Sequence, residues 1–215
     1  MTTMPLTIPA AGVNLPAVLQ VPAQPRGLVV FVHGSGSSQL SPRNRQVAAD
    51  LAPRGLATLL FDLTATGAAA PAADAMAMGT GREHLLAVLD WLAQQSSLQP
   101  LMPAGLFGAS SGAAVALQAA ATRPEAVAAV VSRGGRVDLA GAALERVIAP
   151  TLLIVGALDP AVLALNRQAS VLLRCRHELV VLPAADHLFE QPGCLAQLSR
   201  LAGDWFLRFL PSASP

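Results

Sequence analysis

Gly108-Ala109-Ser110-Ser111-Gly112 stands between an apolar run, Ala104 to Phe107, and a small-residue stretch, Ser111 to Thr122. The pattern is G-x-S-x-G. Average composition alone would give roughly 0.05 to 0.1 such matches in a chain this long, so the surroundings decide its meaning. A strand before it and a helix after it are the setting of a nucleophile elbow. The reason is steric. A serine on a sharp strand-to-helix turn has a strained backbone, and its neighbours must lack bulk. Gly108 and Gly112 supply that space. The turn lifts the Ser110 hydroxyl above the sheet edge. It also sets the Ser111 amide at a helix start, where free N–H groups favour negative charge.

The rest of the chain supports such a setting. Strand-like and helix-like segments alternate, which predicts an α/β fold with a mostly parallel sheet. Expected strands are Leu28 to Val32, Ala57 to Phe61, Ala104 to Phe107, Val127 to Val131, Leu152 to Val155 and Leu179 to Leu182. Expected helices are Pro42 to Leu51, Ser111 to Thr122 and Ala161 to Leu172. Leu85, Val88, Leu89 and Leu92 recur at helical spacing, as do Leu198, Leu201, Trp205 and Phe209. Leu6 to Ile8 and Val18 to Val21 read as an antiparallel pair. Thr64 to Gly81 reads as loop or weak helix, and Pro211 to Pro215 as a fraying tail. With 215 residues and neither repeat nor linker, 1–215 reads as one domain.

A serine hydroxyl needs a base to take its proton, and four histidines compete. His187 follows the last strand, in a loop before the final helix. His84 falls inside a helix, His177 precedes a strand at the wrong sheet edge, and His33 belongs to another loop. His187 is therefore the expected base. An acid must fix its tautomer. Asp159, just after the strand ending at Val155, is favoured over Asp138. Asp186 adjoins His187 in sequence and is poorly placed to pair with it. The order Ser, Asp, His results.

His33-Gly34-Ser35-Gly36-Ser37-Ser38 follows the first parallel strand. Small residues there let backbone amides approach a ligand. The amide of Ser35 or of Gly36 is expected to complete an oxyanion hole with that of Ser111. A dinucleotide loop is disfavoured, because Gln39 stands where the third glycine belongs. Arg43, Arg45, Arg133 and Arg136 flank the site edge. Arg133, Arg136 and Arg43 are candidates to bind a carboxylate or phosphate of the substrate.

Composition excludes other classes. Fourteen basic against thirteen acidic residues give net +1, no field for nucleic acid or anionic membrane. Every basic residue is Arg, with no Lys and no Tyr, so a Schiff-base lysine or catalytic tyrosine is excluded. Cys175 and Cys194 lie outside any metal or disulfide spacing; no metal and no cofactor are expected. The charge-free stretch from Asp90 to Arg123 is broken by Pro100, Pro103, Gly105, Gly108 and Gly112, so no membrane span is expected. The start MTTMPLTIPAAG lacks the basic residues of a signal peptide. A cytoplasmic protein is expected. Only 13% of residues are charged, leaving apolar surface on which a homodimer could form.

The segments FVHGSGSSQLSPRNR (31–45), ATLLFDLT (57–64), GLFGASSGAAVAL (105–117), VVSRGGRVDLAG (130–141), PTLLIVGALDPAVLALNRQA (150–169) and AADHLFEQPG (184–193) carry a resemblance. The chain resembles the α/β-hydrolase superfamily, and within it the dienelactone-hydrolase-like proteins. Similar segments occur in hydrolase-like domains fused to phosphoribosyltransferases; this chain has no room for such a partner. The resemblance implies an eight-stranded sheet flanked by helices and a Ser110, Asp159, His187 triad. It departs in two ways. Dienelactone hydrolases proper carry a cysteine nucleophile where this chain has Ser110. The link from Ser132 to Thr151 is too short for the cap domain of many relatives. The expected activity is hydrolysis of small acyl esters through an acyl-enzyme. Alternatives are a thioesterase, lactonase or acyltransferase on the same triad, or a non-catalytic binding module.

Overall fold

The computed structural model describes residues 1–63 and 75–211. Its strands are β1 (Thr2–Ala10), β2 (Val13–Val21), β3 (Gly27–Val32), β4 (Leu56–Phe61), β5 (Ala104–Ala109), β6 (Val127–Arg133), β7 (Thr151–Gly156) and β8 (His177–Leu182). Its helices are α1 (Pro42–Leu51), α2 (Ala75–Gln94), α3 (Ser111–Thr122), α4 (Pro160–Ser170) and α5 (Cys194–Phe209). All eight strands join one sheet in the order β1-β2-β4-β3-β5-β6-β7-β8. β1 and β2 form a hairpin, β2 runs antiparallel to β4, and the remaining pairs are parallel.

The apolar runs become strands because both faces of the sheet are covered. β3, β4, β5 and β7 are buried at every residue. One core lies under α2 and α3, with Leu85, Val88, Leu89, Ala113 and Leu117 against Val30, Leu59 and Leu106. The other lies under α1 and α5, where Val47, Leu51, Leu198 and Phe206 cover Val29, Phe31, Phe107 and Val131. The expected strands all occur, several of them longer. β6 runs on to Ser132 and Arg133, which pair with Gly108 and Ala109 of β5. The β1/β2 pair is nine residues long on each side despite Pro5, Pro9 and Pro16. β1 is the sheet edge, where a missing N–H costs no ladder bond on the open side.

Of the stretch Thr64 to Gly81, residues 64–74 lie outside the described residues, and 75–81 belong to α2 rather than to a loop. Residues 212–215 of the tail also lie outside them. The β6–β7 link holds only the 3-10 segment Val137–Arg146, kinked at Gly141, and no cap domain is inserted there. No helix among the described residues is long and apolar enough to cross a membrane.

The sheet order fixes where a site can form. From β3 the chain crosses through α1 to β4 on one side; from β4 it crosses through α2 to β5 on the other. The carboxyl ends of β3 and β5 therefore border a crevice at the switch point of the sheet, the place where such folds bind ligands. Gly34 and Ser110 follow those two ends.

Candidate active site

Ser110 has φ 51 and ψ −126 and caps α3. A non-glycine residue there is strained, and the surrounding packing must hold it. Three features do so. The Ser110 amide donates to the Arg133 carbonyl at 3.1 Å, and its carbonyl accepts from the Arg136 amide at 3.0 Å. A Cβ on Gly108 would lie 2.5 Å from Ala113 Cα, so only glycine admits the turn. A Cβ on Gly112 would collide with the carbonyl oxygens of Val32 and His33. The first turn of α3 thus lies directly on the end of β3.

The loop after β3 is tied to the elbow. Gly34 approaches so closely that a Cβ on it would stand 3.0 Å from Ser110 Cβ. The Ser35 amide donates to Ser111 Oγ at 2.9 Å, and the two hydroxyls are 3.1 Å apart. Of the two amides proposed for the oxyanion, that of Ser35 faces the elbow. Gly36, at φ 72, sits at the tip of a turn closed by Ser37 N–H to Gly34 O at 3.2 Å. Ser111 is the first residue of α3, so its amide has no helical acceptor.

Two histidines with no expected part in the site, His33 and His84, anchor this loop. His33 Nε2 accepts from the Leu63 amide at 2.8 Å, and its Nδ1 donates to Gly34 O at 3.0 Å. That fixes a neutral tautomer. Burial holds the imidazole below its usual range, against the opposing pull of the Gly34 carbonyl and the Asp62 charge. His84, in α2, donates from Nδ1 to Leu63 O at 2.8 Å. Asp62 accepts from the Gln39 amide at 2.7 Å, at the far side of the loop. The end of β4 thereby braces the loop that follows β3. The two bonds to Leu63 span 30 and 21 residues of sequence, a relation no local pattern carries.

His187 and Asp159 meet on the other side of Ser110. His187 Nδ1 lies 2.7 Å from Asp159 Oδ2, with the carboxylate side chain 14% exposed and the ring 40%. Asp159 Oδ1 accepts from Val162 N at 3.4 Å as the N-cap of α4. The two loops approach because Gly156, ending β7, lets the chain at Ala185 lie against it; a Cβ there would collide with the Ala185 carbonyl oxygen. Asp186 organises the histidine loop. Its Oδ1 accepts from the amides of Leu188, Phe189 and Glu190 at 3.0, 2.7 and 3.4 Å. Asp138, the other acid considered, pairs instead with Arg136 at 2.8 Å. Gly134 joins the two halves: a Cβ on it would be 3.5 Å from His187 Nδ1, while its neighbours Arg133 and Arg136 bond to Ser110. No hydrogen bond joins Ser110 Oγ to the ring in this structure; unliganded sites commonly close that contact only around substrate.

The arginines differ. Arg136 is bound to Asp138, and Arg43 reaches Glu190 at 2.9 Å. Arg45 is exposed. Arg133 is buried and has no ion pair among the described residues. Leu40, Leu158 and Leu188 are exposed apolar side chains, the first in the segment after Ser38, the second next to Asp159 and the third next to His187. No group of three His, Cys, Asp or Glu able to hold a metal occurs among the described residues.

Residues 27–148 match the family described as alpha/beta hydrolase fold. A crystal structure of a dienelactone hydrolase from Anabaena variabilis superposes with a TM-score of 0.93 at 44% identity, covering 97% of this chain and 98% of that one. Est1E from Butyrivibrio proteoclasticus, bound to ferulic acid, shares the fold at a TM-score of 0.77 and 17% identity, covering 95% and 98%. Two Mycobacterium tuberculosis proteins named putative phosphoribosyl transferases are 50% identical over 197 residues, 92% of this chain. The chain spans only 44% of their length. With the sheet order, the elbow and these likenesses together, the chain belongs to the α/β-hydrolase family, among its dienelactone-hydrolase-like members.

Proposed function

We propose that the chain is a serine hydrolase of small acyl esters. The observation that carries this reading is the 2.7 Å His187–Asp159 contact on the sheet edge that also bears Ser110 in a strained elbow. Asp159 holds the Nδ1–H tautomer, leaving Nε2 free as a base. His187 takes the Ser110 proton as Oγ attacks the ester carbonyl, and the C–O double bond opens to an oxyanion. The amides of Ser111 and Ser35 receive that charge, the latter once Ser111 Oγ turns away. His187 then gives its proton to the leaving alcohol, and an acyl-enzyme remains. Water, deprotonated by His187, repeats the attack and releases the acid. Preformed donors matter most, since one oxyanion donor is typically worth about 2.7 to 4 kcal/mol. The exposed Leu40, Leu158 and Leu188 supply apolar contact for the acyl or alcohol part.

Labelling with a fluorophosphonate, followed by intact mass and peptide mapping, tests the reading. One adduct, on Ser110, is the expected result. A folded protein that takes no label would refute it and favour a binding module.

A further inference from the structure

α4 begins after its cap, Asp159, and buries one stripe: Val162, Leu163, Asn166 and Ala169. Asn166 is the polar member of that stripe and is 0% exposed. Its amide uses both hydrogens. Nδ2 donates to the Gly135 carbonyl and to the Val162 carbonyl, each at 2.8 Å. Two acceptors at that range fix which end of the amide points where. Oδ1 finds no partner among the described residues. A leucine of similar size would leave no such unmet acceptor, and burying one costs stability. What the amide supplies, and a leucine cannot, is its donor side.

The bond to Val162 stays inside α4. The bond to Gly135 leaves the helix and spans 31 residues of sequence. Gly135 stands in the link between β6 and the 3-10 segment. Its carbonyl belongs to the same peptide unit as the Arg136 amide, and that amide donates to the Ser110 carbonyl at 3.0 Å. The unit is trans. A trans peptide is planar and rigid, with C=O and N–H pointing in opposite directions. The Gly135–Arg136 peptide is thus a stiff bar, gripped by α4 at one end and by the elbow at the other.

The bar is closely packed. A Cβ on Gly135 would stand 2.5 Å from Ala113 Cβ, so the link lies directly on the first turn of α3. The Gly134 amide donates to the Ile154 carbonyl of β7 at 2.8 Å. A Cβ on Gly134 would be 3.3 Å from the His187 carbonyl oxygen. The link therefore meets the elbow, the loop of His187 and the helix that Asp159 caps. Asn166 follows Asp159 by about two helical turns. One helix presents the carboxylate at its start and holds the elbow from its middle.

No hydrogen bond joins Ser110 Oγ to the His187 ring, so their alignment rests on the backbone that carries them. We infer that Asn166 is a positioning residue: through the Gly135–Arg136 peptide it holds the Ser110 elbow in register with Asp159 and His187. Fully buried, it meets no substrate. This deepens the hydrolase reading and rests on it.

The test uses three variants. Asn166→Leu removes both donor bonds at similar side-chain size. Asn166→Ser keeps a hydroxyl that can return to the Val162 carbonyl and gives up the bridge. Leu163→Ala loosens the same buried stripe through lost apolar contact alone. All three should melt below wild type. Turnover of p-nitrophenyl butyrate is then compared well below every melting transition. Both Asn166 variants should lose about 10- to 100-fold in kcat, since a misplacement of about 1 Å can cost 10²-fold. KM should stay within about 3-fold, because the lost alignment is felt in the transition state. Fluorophosphonate labelling of Ser110 should slow by the same factor as kcat. Leu163→Ala should keep kcat within about 3-fold of wild type, having lost only packing. Unchanged kcat in Asn166→Leu, or an equal loss in Leu163→Ala, overturns the proposal. If the leucine variant does not fold, the serine variant decides on the same terms. A folded wild type that takes no label defeats the hydrolase reading on its own. The bridge is then read by hydrogen exchange. The Arg136 amide should exchange about 10-fold faster or more in the Asn166 variants, and unchanged protection overturns it.

Discussion

His187 Nδ1 donates to Asp159 Oδ2 across 2.7 Å, while Oδ1 of the same carboxylate accepts from the Val162 amide at 3.4 Å. One side chain thus orients the His187 ring and caps α4. The two roles separate by substitution. Asp159→Asn can still cap the helix but favours the wrong tautomer, and should lower kcat by about 10⁴-fold with little change in Tm. Asp159→Ala should lose as much activity and also about 0.5 to 1 kcal/mol of stability, since this cap bond is long. Esterase kinetics and thermal melts of both variants check this. Equal melting temperatures for the two would mean that the cap contributes nothing.

Ser110→Ala keeps the Cβ that fits the turn and removes only the hydroxyl, which makes no hydrogen bond among the described residues. It should fold like the wild type. Ester turnover should drop by about 10⁶-fold, the scale found when the nucleophile of a comparable triad is removed. Double variants with His187→Ala should be no worse, because the groups act together. A residual rate within tenfold of wild type (measured on protein free of contaminating esterase) would contradict the assignment.

Much of this architecture was readable because single residues carry it locally. The glycines at 108 and 112 could be read as room for a tight turn, and they are buried against Ala113 and the end of β3. The strands around them are unbroken apolar runs, because both sheet faces are covered. Strand ends were harder. Ser132, Arg133 and His177 are polar, yet they complete ladders with β5 and β7, and backbone pairing is indifferent to side-chain polarity. The β1/β2 hairpin is legible only in part, since its prolines interrupt the pattern: Pro5 and Pro9 lie on the edge strand β1, and Pro16 lies just outside the stretch of β2 that pairs with β4. In the candidate site, Asp159 stands out from its place after a strand, and the structure sets it 2.7 Å from His187 Nδ1. The bracing of His33 and His84 on Leu63 was not legible, because their partner is backbone from a distant segment. Nor could the sequence separate Arg133 from Arg136: one has an acid within reach and the other does not, which only burial and geometry reveal.

His33 makes the loop after β3 sensitive to acid. Burial lowers its pKa in the folded chain, so on acidification the unfolded chain takes the proton first. Its contribution to stability is complete above the unfolded value of about 6.5 and is lost as pH falls through the folded value. Protonation at Nε2 also abolishes the bond from Leu63 N–H. His33→Gln offers an acceptor at the same reach and does not titrate there. Melting temperature plotted from neutral pH down to about 5 should fall more steeply for wild type than for the variant. Parallel curves would remove His33 as the cause.

Ser111 Oγ occupies the Ser35 amide, with N to O at 2.9 Å. In the proposed mechanism the hydroxyl competes with the oxyanion for that donor. Ser111→Ala should free it and raise kcat by about 2- to 10-fold, the usual net worth of one hydrogen bond. Binding of a transition-state-like fluorophosphonate should quicken in parallel. A fall in kcat would show instead that the hydroxyl helps to hold the loop in place.

Gly156 lets the loops bearing Asp159 and His187 come together. It ends β7, and any side chain there would collide with the carbonyl of Ala185, just before the turn that carries His187. That loop is itself held by three amides on Asp186 and by the Asp186 amide on Gln191 Oε1 at 3.1 Å. It cannot yield without breaking those bonds, so the strain of Gly156→Ala must be shared between β7 and the loop. Overpacking of this kind costs about 1 to 3 kcal/mol, or roughly 2 to 12 °C in Tm for a chain of this size. Displacement of His187 relative to Asp159 should cost activity beyond the loss of folded protein, since misplacing a catalytic group by about 1 Å can cost 10²-fold. Turnover at a temperature well below the melting transition separates the two effects. Full turnover there would show that Gly156 serves the fold without setting the geometry of the site.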